Sequence, residues 1–359
     1  MTAQRRHWTR PDNTPYLFPM LSLGILDQSP VRAGATPAEA IAETVELAQL
    51  ADRLGYSRYW LAEHHSTPGL AGTAPEILVA RIAAATETIR VGSGGVMLSH
   101  YSPLKVAETF RMLETLYPGR IDLGIGRAPG GDMLATRALQ AGGSGAIGFE
   151  RFPQQLADLV RLLGPDGLPA AHPLAGVRAM PEGPTAPETW LLGSSDQSAA
   201  FAAYFGCAFS FAHFITDVGG VETMRAYREH FRPSAQLPAP RGSVGVFALC
   251  AETEEAAERL ATSRDLWRLR LDYGELGPVP SVEEALTYPY SEAERARIAL
   301  HRRRQAVGTP EKVRDQLAGL AAAYGVDELI VLSICHDPAA RRRSYELLAD
   351  AFGLAPRRG

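Results

Sequence analysis

Cysteine is scarce in this chain, and charge of either sign is in little excess. Three cysteines among 359 residues, Cys207, Cys250 and Cys335, stand far apart and form no CxxC pair. That excludes a disulfide framework and a zinc-ligand spacing. All three lie in or beside apolar runs and read as small buried hydrophobes, so a reducing cytoplasmic compartment is the expectation. The formal net charge is only −4, which leaves no electrostatic case for binding nucleic acid or an anionic membrane. No apolar run reaches the roughly 18 residues that cross a bilayer. Residues 1–19 are polar and proline-rich, lack the apolar core of a signal peptide, and are expected to form a flexible N-terminal extension. The rest is ordinary globular composition, 46% hydrophobic and 21% charged, with enough apolar residues for a large core.

What the chain does have is alternation. Eight short apolar or β-branched runs, Met20–Leu26, Tyr59–Ala62, Arg90–Leu98, Arg120–Ile125, Thr189–Leu192, Ala208–Phe211, Ser243–Cys250 and Glu328–Ser333, are each followed by a stretch of helical period. Strands alternating with helices imply parallel pairing. Eight such units point to an α/β fold closed as a (β/α)8 TIM barrel, one domain over residues 20–359. Thr36-Pro37-Ala38-Glu39 is a capping box with proline at the first helical position, and its helix stops at Gly55. Ser102-Pro103 and Thr309-Pro310-Glu311 repeat the start signal. Two excursions near 128–187 and 271–308 break the alternation and read as lid-like insertions in βα loops, where barrels build substrate pockets. Arg302-Arg303-Arg304 and Arg341-Arg342-Arg343 read as solvated helix faces.

The histidines cluster by position. His64 and His65 end the second run, after Glu63; His100 follows the third, His213 the sixth and His336 the eighth. The C-terminal ends of barrel strands form the active face, so five of nine histidines fall at the expected mouth. A shared metal is disfavoured, because adjacent residues of an extended segment point to opposite sides. One histidine facing the cavity, with the other or Glu63 bracing it, fits better. Two stretches suggest an anion. Gly193-Ser194-Ser195-Asp196-Gln197-Ser198 follows a strand and opens a helix, which offers N–H groups and hydroxyls to a phosphate or is simply an N-cap. Gly124-Ile125-Gly126-Arg127 places an arginine fork at a strand end, suited to gripping phosphate or merely to a surface turn.

Together "LAEHH", "GSGGVML", "GRIDLGIGRAPG", "WLLGSSDQSAAFAAYFG" and "VGTPEKVRDQL" resemble the bacterial luciferase-like, flavin-dependent monooxygenases, in their alkanal monooxygenase-like branch. The likeness runs from about Leu21 to Ala351. It implies a barrel that binds reduced FMN at its mouth and uses O2, through a C4a-hydroperoxide of the flavin, to oxygenate a small organic substrate. Some relatives act in natural-product pathways. By the resemblance, His64 matches the histidine implicated in flavin chemistry, Arg127 the arginine that holds the FMN phosphate, and Ser195 and Ser198 the hydroxyls beside it. Arg151 matches a second phosphate arginine. Asp27, Glu63, Met97, Gly193 and Ser194 are expected around the cofactor. His65, His100, Tyr101, His213 and Phe214 are expected in the substrate pocket. Met97, Leu98, Tyr101, Phe211 and Phe214 would keep water out. Gly126 stands where luciferase itself has a reactive cysteine.

The chain shows no second glycine-rich dinucleotide motif, which favours a separate NAD(P)H:flavin reductase as the source of FMNH2. A homodimer through the helices after the second and third strands is a further implication, with Ala80, Ala83, Ala84 and Ala85 small enough for close approach. The rival readings are an F420-dependent hydride-transfer enzyme on the same fold, a non-catalytic flavin-binding protein, and a metal-dependent hydrolase.

Overall fold

The computed structural model describes residues 21–141 and 149–356. The expected N-terminal extension lies outside the described residues.

Helices and strands alternate from the start. β1 (Ser22–Asp27), α1 (Pro37–Leu54), β2 (Arg58–Leu61), α2 (Pro75–Ala83), β3 (Arg90–Met97), α3 (Pro103–Leu116) and β4 (Ile121–Gly126) lead to a first excursion with α4 (Met133–Leu139) and α5 (Phe152–Leu163). β5 (Glu188–Gly193), α6 (Asp196–Phe205), β6 (Ala208–Ala212), α7 (Gly220–Glu229) and β7 (Gly242–Cys250) follow. A second excursion carries α8 (Glu254–Asp272), α9 (Val282–Thr287), α10 (Glu292–Arg302) and β8 (Gln305–Gly308), before α11 (Pro310–Tyr324), β9 (Glu328–Leu332) and α12 (Pro338–Phe352).

All pairings between these strands are parallel. β1 to β6, β7 and β9 close into an eight-stranded (β/α)8 barrel, with β6 pairing β7 to complete the ring. The eight expected runs are its eight staves. β8 was not foreseen. Its four residues pair only with Phe247–Cys250, the far half of β7, while Val244–Phe247 of the same strand pair with β9.

Local chemistry sets the helix limits. Thr36 and Glu39 form the reciprocal capping box of α1, and Gly55 ends it at φ 89°. Asp52 of that helix accepts the backbone N–H groups of Glu87, Thr88 and Ile89, tying α1 to the start of β3. The barrel strands pack closely. A Cβ on Gly124 would lie 2.1 Å from the Ser93 carbonyl oxygen, so only glycine fits there.

The N-terminal end of the barrel is plugged by charge. Arg58 pairs with Asp122 at 2.6 Å and Glu328 at 2.9 Å, and Arg90 with Asp122 at 2.6 Å. The Arg58 guanidinium also lies over the Trp190 ring, at 4.7 Å. A depression of about 980 Å³ opens at this end, but Arg58, Arg90 and Arg241 within it are committed to Asp122, Glu188 and Glu328. Such a face serves stability rather than chemistry.

One sequence expectation needs correcting here. Arg341 is not a solvated residue: it is buried and bonds Asp27 at 2.8 Å. Arg342 and Arg343 do lie outward, paired with Glu46 and with Glu252 and Glu346.

Candidate active site

At the opposite end the strands open into a cavity of about 580 Å³. Each wall comes from the end of a strand. Leu26 stands in β1, Ala62 and His64 follow β2, Gly94, Gly95 and Met97 come from β3, and Gly126 and Arg127 end β4. Gly193, Ser194, Ser195 and Ser198 span the turn from β5 into α6, and Ala212, Phe214 and Ile215 end β6.

The two adjacent histidines do different work. His65 Nε2 lies 2.8 Å from Glu63 Oε1. Glu63 is 1% exposed, and its carboxylate also accepts the Met97 N–H at 3.0 Å and the Tyr101 hydroxyl at 2.7 Å. The His65 backbone N–H donates to the Gly130 carbonyl. His100 Nε2 lies 2.7 Å from the Pro129 carbonyl oxygen, and its Nδ1 lies 3.1 Å from the Gln140 amide nitrogen. The first contact needs a proton on Nε2, which leaves Nδ1 to accept from Gln140. Glu63, His65, His100 and Tyr101 thus form a bracket behind the cavity that fixes the 127–131 loop; none of them lines the cavity. Burial and the bond to Glu63 push the Tyr101 hydroxyl well above its usual range.

His64 is the histidine that faces in. Its backbone N–H donates to the Gly72 carbonyl, and its Nδ1 is buried without a partner. Burial, helped by the charge of His65, lowers its pKa from 6.5 to about 4. The ring is therefore neutral at pH 7, well below the near-working-pH value that an unperturbed histidine would have.

An anion cradle stands elsewhere in the same cavity. Ser195 caps α6 by accepting the Ser198 N–H, and the two hydroxyls are 3.2 Å apart. Arg127 reaches from the end of β4 to donate to the Gln197 side chain in the first turn of α6. Gly193 is required here, since a Cβ would lie 2.4 Å from Ser198 Oγ. The carboxylate of Asp196 folds onto the Gln197 N–H at 2.7 Å. Hydroxyls and a guanidinium gathered at a helix start suit a phosphate.

The remaining candidates are placed differently. Asp27, fully buried, accepts from Arg341, Ser29 N–H and the Tyr59 hydroxyl behind β1. It braces the barrel and does not border the cavity. Its pKa is low, with burial opposing and Arg341 prevailing. Arg151 is exposed at the start of α5. His213 turns away to the Tyr324 hydroxyl, 3.0 Å from its Nδ1, whereas its neighbour Phe214 forms a wall. Burial, reinforced by Arg304 and opposed by Asp217, lowers the His213 pKa. Leu98 and Phe211 are core residues. His336 Nε2 sits 3.1 Å from the Ala33 carbonyl oxygen and joins loops. Among the described residues no cluster of His, Cys, Asp or Glu could hold a metal. Residues missed as site-forming include Gln28, Ala62, Ile215 and the pair Gly94–Gly95. For the two glycines the signal was present, because glycines inside a strand mark a close approach.

The sequence profile of the luciferase-like monooxygenases matches residues 21–328. The chain belongs to that family. This luciferase-like monooxygenase is 50% identical over 333 residues to the uncharacterized protein YceB of Bacillus subtilis, covering 93% of this chain and 100% of that one. It is 39% identical over 343 residues to the N-acetyl-S-alkylcysteine monooxygenase of the same organism, covering 94% and 100%. Among solved structures, apo-MsnO8 is similar with a TM-score of 0.86 and 43% identity, over 94% of this chain and 100% of that one. Two further structures share the fold alone, each with a TM-score of 0.68. One is the oxygenating constituent of 3,6-diketocamphane monooxygenase in complex with FMN, 22% identical over 94% of this chain and 100% of that one. The other is an F420-dependent secondary alcohol dehydrogenase, 13% identical over 93% and 99%. The monooxygenase has no helix, among its described residues, long and apolar enough to cross a membrane.

Proposed function

We propose that this monooxygenase binds reduced FMN at the barrel mouth and transfers one oxygen atom of O2 to a small organic substrate. One observation carries the reading: an anion cradle and an unpartnered neutral histidine open into a single cavity with a glycine wall. Arg127, Ser194, Ser195 and Ser198 would hold the phosphate at the start of α6. Gly94, Gly95, Gly126 and Gly130, all lining the cavity, offer a surface without side chains against which a planar ring can lie.

When bound, reduced FMN supplies the electrons that activate O2. The residues of this chain do the rest. His64, held by its own backbone and backed by Glu63 and His65, would offer its neutral ring to hold or pass a proton. Met97 and Phe214 give the cavity apolar sides that exclude water. Electrons reach the site as FMNH2 from a separate NAD(P)H:flavin reductase. The three cysteines are buried and unpaired, which suits a reducing cytoplasm.

The same reading pairs two copies through α2 and α3. These helices pack beside each other and expose Ile77, Met112 and Leu116 to 67%, 50% and 57%. Ala83, by contrast, is buried inside the chain itself.

Titration with FMN, FMNH2 and F420, followed by O2 consumption and oxygen-18 labelling of product, tests the assignment. Tight FMNH2 binding and label from O2 are expected. Anaerobic hydride transfer with F420 would instead establish the deazaflavin alternative. Flavin binding without O2 consumption would leave a carrier.

A further inference from the structure

We propose that Gln28 selects and orients the organic substrate, its side-chain amide bonding an oxygen of an uncharged molecule. The proposal rests on the monooxygenase reading of the cavity. Gln28 directly follows β1, where side chains alternate between the two faces of the strand. Leu26 lines the cavity, Asp27 turns outward to Arg341 and the Tyr59 hydroxyl, and Gln28 lines the cavity again. Its side chain is half-buried. Among the described residues no hydrogen bond engages its amide.

The backbone on both sides of Gln28 is fixed. Asp27 Oδ1 accepts the Ser29 N–H at 2.8 Å, a turn that closes over Gln28. The Ser29 hydroxyl accepts from Thr44 at 3.0 Å, and the Ser29 carbonyl accepts the Ala71 N–H. The Asp27 carbonyl accepts the Ala62 N–H from the end of β2. A rigid mount under an uncommitted amide keeps low the ordering cost of a bond to a ligand.

Position around the ring separates Gln28 from the phosphate cradle. The staves run β1, β2, β3, β4, β5, β6, β7 and β9 before returning to β1, so β1 stands opposite β5. The cradle opens α6 after β5, the glycine wall belongs to β3 and β4, and His64 follows β2. A flavin held after β5 and laid on the glycine wall leaves the β1 side of the cavity to the substrate, next to His64.

Charge sets the substrate class. Among the described residues lining the cavity, the polar side chains are those of Gln28, His64, Arg127, Ser194, Ser195 and Ser198. Arg127 and the serines form the cradle, and the His64 ring is neutral at pH 7. A carboxylate or ammonium group beside Gln28 would lose water and meet no counter-charge. A neutral oxygen can accept from the Gln28 amide nitrogen, and a hydroxyl can also donate to its carbonyl oxygen. The substrate class is then an apolar molecule bearing an uncharged carbonyl or hydroxyl.

The test is calorimetric titration of the full chain with phenylacetone, propylbenzene, phenylacetate and FMN. Propylbenzene has the ketone's skeleton without its oxygen, and phenylacetate replaces the ketone's methyl by a charged oxygen. The wild type is expected to bind phenylacetone roughly tenfold or more tightly than phenylacetate, since the acid lacks a counter-charge. Gln28→Leu should weaken phenylacetone binding about three- to tenfold, the worth of one neutral hydrogen bond. The same variant should bind propylbenzene no more weakly than the wild type does, and FMN equally well. If the Leu variant fails to fold, Gln28→Met carries the same comparison. Absent ketone binding, phenylacetate bound as tightly as phenylacetone, or a ketone-to-hydrocarbon ratio unmoved by loss of the amide overturns the proposal. So does a fall in FMN affinity in the variant, which would place Gln28 in the cofactor site. A wild type that binds no FMN, beside an intact Gln28-dependent ketone preference, would remove the flavin reading and leave this one standing.

Discussion

Glu63 Oε1 lies 2.8 Å from His65 Nε2, and this contact decides which of two adjacent histidines faces the cavity. With His65 turned back onto a buried carboxylate, His64 alone faces the cavity that also holds Arg127 and Ser195.

Loss of the Arg127 guanidinium should weaken FMN binding by about 1.5–3 kcal/mol, the range for a charged hydrogen bond. Flavin fluorescence titration of Arg127→Ala reads this directly. Gly193→Ala should weaken binding too, because its new Cβ would displace Ser198 Oγ, 2.4 Å away. Wild-type affinity in both variants would remove the cradle from the cofactor site.

His64 should leave a signature in acid. Its folded pKa of about 4 lies below the ordinary 6.5, so the unfolded chain binds the extra proton first. Its stabilising contribution is whole above pH 6.5 and is lost as pH falls through 4. Between pH 7.5 and pH 5 the loss should be about 2 kcal/mol from this group. Urea unfolding at the two pH values should show a smaller gap in His64→Ala than in the wild type. The same variant should consume FMNH2 with less product formed. An unchanged product yield per FMNH2 would deny His64 a chemical role.

Asp122 should prove costly to remove. It is fully buried and accepts from Arg58, Arg90 and the Trp60 indole. Asp122→Ala leaves a buried guanidinium short of a partner, so a loss of about 3–5 kcal/mol is expected. Denaturant unfolding measures it, and a loss under about 1 kcal/mol would mean Glu328 and Glu188 suffice.

Charge on the α2–α3 surface should separate the proposed dimer. Sedimentation of Ile77→Glu and Met112→Glu is expected to give monomer where the wild type gives dimer at micromolar concentration. A wild type that sediments as monomer would discard the interface.

The barrel was legible because its eight staves are apolar on both faces and sit between capped helices. β8 was not, since Gln305-Ala306-Val307-Gly308 is short and gains its pairing only from the far half of a strand already counted. Position along the chain showed which histidines reach the mouth but not which way each ring turns. His65, His100 and His213 differ from His64 only in partners, Glu63, Pro129 and Tyr324, that are set by tertiary structure. Charge runs misled for the same reason. Arg341 sits in a run of three arginines, and only the fold brings Asp27 to it.

The split pairing of β7 has an architectural consequence. Its lower half closes the ring, and its upper half carries β8 and, through it, everything from α8 to α10. The pairings that shut the ring therefore do not depend on β8, while Ala257, Ala261 and Trp267 of α8 share one core with Phe247 and Leu332 of the ring, so the storey above is bolted to the foundations by packing alone.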